Sequence, residues 1–62
     1  MSEVRERFYA VVRFPHHITH ESRAYDSYDE AYRYGVDEMT HNPRNIRERP
    51  LYFTVELRYE IN

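Results

Sequence analysis

Cysteine is absent from this 62-residue chain, so no disulfide can brace it and no thiolate can hold a metal or act as a nucleophile. Lysine is absent too; all nine basic residues are arginine. Gly35 is the single glycine, which excludes the glycine-rich loops that cradle phosphate groups. No apolar run approaches the roughly 18 residues of a membrane-spanning helix. The opening Met1-Ser2-Glu3-Val4-Arg5-Glu6-Arg7 is charged, with no apolar stretch behind it; it does not read as a secretory signal, and a cytoplasmic setting is expected. The formal net charge of −2 is neither the basic balance of a general nucleic-acid binder nor acidic enough for a wholesale mimic of DNA.

What is present is aromatic. Seven Tyr and three Phe make up 16% of the chain, too many for a disordered segment, which would be aromatic-poor. Mean hydropathy is −0.99, so the apolar residues must be concentrated to form a core. The length allows one small domain over residues 1–62, with 1–6 and 62 expected to fray.

Phe8, Ala10, Val12 and Phe14 alternate with Arg7, Tyr9, Val11 and Arg13, which predicts a strand over 7–14 ended by Pro15. A weaker strand over 18–25 would close a hairpin through His16 and His17, with Glu21, Arg23 and Tyr25 on the face opposite Ser22. Ser27-Tyr28-Asp29-Glu30 has the spacing of a capping box, with Ser27 and Glu30 each bonding the other's backbone N–H. The helix it opens should run from Tyr28 to about His41, with Tyr28, Ala31, Tyr32, Gly35, Val36 and Met39 on one side. A glycine inside that stripe costs about 1 kcal/mol of helix propensity, and its return is close approach to a sheet. Asn42-Pro43 ends the helix. Leu51, Phe53, Val55, Leu57, Tyr59 and Ile61 then alternate with Tyr52, Thr54, Glu56, Arg58 and Glu60, a long strand with one buried and one wet face. The order ββαβ predicts an α+β fold: a three-stranded antiparallel-type sheet, strand order 2-1-3, with one helix packed on one face.

Three surfaces could carry function. The uncovered sheet face would display Arg7, Tyr9, Arg13, Arg23, Tyr25, Tyr52 and Arg58. Arg and Tyr are enriched at binding hot spots, and aromatics flanked by arginines also suit stacked single-stranded bases; cross-strand Arg–Glu pairing in solvent is the plain alternative. The outer helix face carries Glu30, Tyr34, Asp37 and Glu38. Residues 26–38 hold five carboxylates against Arg33 alone, a net of −4, suited to a basic groove on a partner. Arg44, Arg47 and Arg49 form a basic loop that could clamp phosphate or carboxylate groups. His16, His17, His20 and His41 do not have the spacing of a zinc site, and no metal or other cofactor is expected. Without a nucleophile elbow or phosphate loop, and with little volume for a pocket, no enzymatic activity is expected either.

Phe8-Tyr9-Ala10-Val11-Val12, then Ser27-Tyr28-Asp29-Glu30-Ala31, then the alternating strand Leu51 to Ile61 give a layout that resembles small phage-encoded inhibitors of host machinery, such as RNA-polymerase inhibitors and anti-CRISPR proteins. The resemblance implies a phage or mobile-element factor that binds and inhibits a larger host protein. It transfers no partner-binding residue. Two other readings stand beside it: a small nucleic-acid-binding regulator using the Arg/Tyr face, and a homodimer paired through the long last strand, since exposed edges invite pairing.

Overall fold

The computed structural model describes residues 3–40 and 49–61. The chain forms β1 (Val4–Arg13), a short 3-10 turn (Pro15–His17), β2 (Thr19–Glu21), α1 (Tyr28–Thr40) and β3 (Tyr52–Ile61). It is an α+β fold: a three-stranded antiparallel sheet in the order β2-β1-β3, with one helix contacting β1 and β3. The β1–β3 register runs unbroken from Val4↔Ile61 to Arg13↔Tyr52. Val4, Arg5 and Glu6, expected to fray, are therefore paired, because alternation on β3 continues to Ile61 and supplies them with partners.

β2 is shorter than its sequence pattern. Val11 faces Glu21, yet Phe8 faces Tyr25 in an isolated bridge. Three residues, Ser22 to Ala24, thus oppose the two residues Tyr9 and Ala10. One extra residue on one strand is a β-bulge, which re-aims the side chains beyond it. Ser22 holds the bulge. Its N–H donates to the Ala10 carbonyl at 2.8 Å, while its buried hydroxyl accepts from the Ala10 N–H at 2.9 Å and donates to the Arg23 carbonyl at 2.8 Å. A buried N–H that loses its ladder carbonyl needs such a substitute.

The Ser27 hydroxyl accepts from the Glu30 N–H at 3.3 Å, so the predicted cap is present. The reciprocal bond from Ser27 N–H to the Glu30 carboxylate is not made; Glu30 lies instead beside a depression on the outer helix surface. Ala31 and Gly35 are the helix residues buried on the sheet. A Cβ built on Gly35 would lie 2.1 Å from the Phe53 ring, which is why glycine stands there. Among the described residues the fully buried apolar side chains are those of Ala10, Val12 and Ala31. Around them, Tyr32 packs edge-on against Phe53 at 5.3 Å and Phe8 against Tyr28 at 6.3 Å between ring centroids.

Candidate functional site

The uncovered sheet face gathers Arg7, Arg13 and Arg58 of the predicted arginines, and pairs Arg7 and Arg58 internally. Arg58 lies 4.5 Å over the Tyr9 ring and donates to Glu21 at 2.8 Å and Glu56 at 2.6 Å. Those bonds push the Arg58 guanidinium pKa up, and the Arg58 hydrogen bond holds the Glu21 carboxyl below its usual range. Arg7 pairs with Asp26 and, at 3.3 Å, with Glu60. Arg13 is opposite Tyr52 and makes no ion pair among the described residues. It lines a shallow depression with Tyr52, Leu51, His16 and His17.

Arg23 and Tyr25 are not on this face, contrary to the alternation expected of residues 18–25. The bulge puts Tyr25 opposite Phe8, on the helix side of the sheet. There its ring meets Tyr34 of α1 at 6.2 Å, and Arg23 lies 4.9 Å over it. Both residues join Glu30, Arg33, Tyr34 and Asp37 around an open depression of about 310 Å³. The acidic helix face is therefore bordered by two arginines. Burial first, and Glu38 second, push the Tyr34 phenol above its ordinary 10.0.

Of the predicted basic loop, Arg49 is exposed, while Arg44 and Arg47 lie outside the described residues. His16 and His17 both adopt left-handed backbone, with φ of 66° and 63°, a conformation that tightens the hairpin between Phe14 and Ile18. Among the described residues no group of three or more His, Asp or Glu side chains converges as metal ligands. No helix among them is long and apolar enough to cross a membrane.

A further surface is one that the alternation pattern marks as core. Odd-numbered residues of β3 share the helix side of the sheet with Phe8, Ala10 and Val12. A ten-residue strand spans about 33 Å, whereas a 13-residue helix spans about 20 Å. α1 covers the Phe53–Val55 end and leaves the other end bare. Leu57, Tyr59, Ile61 and their cross-strand neighbour Val4 stand 44%, 64%, 71% and 64% exposed. The flank of α1 above β3 is also uncovered: Tyr28, Tyr32, Val36 and Met39 are all at least about one-third exposed. Comparing predicted strand and helix lengths would have exposed this mismatch in the sequence; alternation alone could not.

Among the described residues, no strand pairs with the neighbouring edge either. Phe8, Ala10 and Phe14 direct their backbone groups to the β2 side, bonding Tyr25, Ser22 and Ile18. Backbone groups alternate sides along an antiparallel strand, so odd residues of β1 bond β3 through its even residues. The N–H and C=O groups of Phe53, Val55, Leu57, Tyr59 and Ile61 consequently face the free edge. Within β3 there is no proline, lysine or bulge to blunt it.

Compared with known proteins, the chain matches no family, no curated relative and no solved structure. Its resemblance to phage-encoded inhibitors stays a likeness of layout.

Proposed function

We propose that this chain is a non-enzymatic protein-binding module that engages its partner at the free edge of β3 and the apolar surface beside it. The observation that carries this reading is the coincidence of two unpartnered features. Among the described residues no strand pairs with this edge, so it presents a row of backbone groups without a ladder partner there, and the core-type side chains Leu57, Tyr59, Ile61, Tyr28 and Tyr32 are exposed next to it. Strand addition uses both at once: main-chain bonds give affinity, and alternate side chains give specificity. Contiguous apolar patches of this kind mark interaction surfaces.

The Arg/Tyr sheet face supports a nucleic-acid reading less well. Arg7 and Arg58 each contact two carboxylates, and those cations would have to be released before they could neutralise phosphates. The narrower role of a phage or mobile-element inhibitor is checked by gene neighbours: an early phage region supports it, and an unrelated chromosomal operon overturns it.

Leu57→Pro tests the module. It deletes one edge-facing N–H without removing a bond to β1, and proline is tolerated at such positions. A protein from the native host, or the chain itself, should be retained by the immobilised wild type and lost from Leu57→Pro. Equal retention by both would refute binding at this edge.

A further inference from the structure

Resting on that reading, we infer that the occupant of the β3 edge is a second copy of this chain, paired antiparallel about a two-fold axis through Leu57. The product would be a continuous six-stranded sheet, β2-β1-β3-β3-β1-β2.

The backbone permits this axis. A two-fold axis at a hydrogen-bonded pair needs a residue whose N–H and C=O both face the free edge, as those of Leu57 do. Pairing about Leu57 uses residues 53–61, nearly the whole strand.

The side chains are self-complementary in this register. On the open face Glu56 and Arg58, which bond each other within one chain, meet the second copy's Arg58 and Glu56, so the four charges alternate in sign across the axis. These are non-hydrogen-bonded pairs, where side chains approach most closely. On the helix side, Leu57 meets its own copy, Val55 meets Tyr59, and Phe53 meets Ile61. No like charges face each other. An axis at Tyr59 would also set Arg58 against Glu60, but it pairs only residues 57–61.

The register also covers what each copy leaves bare. Ile61 of the second copy lands beside Phe53, the residue on which Tyr32 packs. Tyr59 lands beside Val55. The exposed flank of each helix thus lies over the exposed strand end of the other copy.

Sedimentation equilibrium and amide exchange test the inference. Wild type should sediment at twice 7.7 kDa, and the amides of Val55, Leu57 and Tyr59 should be as protected as those of Thr54, Glu56 and Arg58. Glu56→Arg places like charges opposite each other and should give a monomer; Arg58→Glu should do the same. The triple exchange Glu21→Arg/Glu56→Arg/Arg58→Glu inverts the whole cluster, keeps the pair between positions 21 and 58 within each chain, and should restore the doubled mass, which separates pairing from misfolding. A wild-type mass of 7.7 kDa at every concentration, or protection confined to the even-numbered amides of β3, would overturn the dimer. If that monomer still retained another protein in a Leu57-dependent way, the protein-binding reading would survive without self-pairing. If it retained none, both would fall.

Discussion

Gly35→Ala sets helix propensity directly against packing. In an isolated helix the change is favourable by about 1 kcal/mol. Here the new methyl would lie 2.1, 2.3 and 2.6 Å from Cδ2, Cε2 and Cγ of Phe53, against an ordinary contact of 3.4 Å or more. Cγ is among the clashing atoms, so flipping the ring about its own axis gives no relief. Either Phe53 changes rotamer and leaves its edge contact with Tyr32, or α1 lifts from the sheet and uncovers Ala10, Val12 and Ala31. Overpacking of this kind costs about 1–3 kcal/mol, and an overlap of more than an ångström belongs at the upper end. The net loss should be about 2 kcal/mol after the propensity gain. For a domain of this size that lowers the thermal midpoint by roughly 8–16 °C. Circular dichroism melts at one fixed protein concentration would read it, since the proposed self-association would make the midpoint concentration-dependent. Adding Phe53→Leu to Gly35→Ala should recover part of the loss, as a double-mutant cycle would show. A Gly35→Ala protein that melts at or above the wild type would refute the close-contact account.

Ser22→Ala should cost about 1–3 kcal/mol, because it leaves the buried Ala10 N–H without its acceptor; urea denaturation at unchanged slope would measure it. His16→Gly should stabilise by roughly 0.5–1 kcal/mol, by relieving a left-handed backbone at a residue with a Cβ, seen as a higher melting midpoint. The Glu21 carboxyl titrates lower folded than unfolded, so its contribution is full above about 4.5 and lost as pH falls through the folded value. Glu21→Gln should flatten the acid limb of a stability profile. Tyr34 has the opposite sense: its raised phenol contributes fully below 10.0, and that contribution is lost as pH rises through the folded value. Ultraviolet titration should show a late-ionising component that is lost in Tyr34→Phe.

Local order was legible in the sequence wherever one short-range rule acted alone. Alternation on 51–61 needs no partner to be read, and the Ser27 cap needs only four consecutive residues. Gly35 announced its close contact because nothing else explains a glycine in an apolar helical stripe. The strand order followed from the same logic, since the strand most apolar on both faces belongs in the centre.

Residues 22–25 escaped that reading. Extending strand alternation through them puts Arg23 and Tyr25 on the open face, yet a single inserted residue reverses that sense, and the insertion is visible only against the fixed register of β1. Arg23 and Tyr25 therefore left the open sheet face for the helix side. The candidate interface was hidden for a different reason. Sequence periodicity reports which face a residue occupies, and Leu57, Tyr59 and Ile61 do occupy the core face. A 13-residue helix is too short to cover ten-residue strands, a mismatch that element lengths alone reveal, but which end of the sheet it leaves bare is set by tertiary packing. By itself the sequence determined the elements, their order and the sidedness of each strand, because these follow from neighbours within a few residues. The bulge, the neutralised arginines and the bare apolar end were decided by the tertiary structure, because each depends on what a distant segment places opposite.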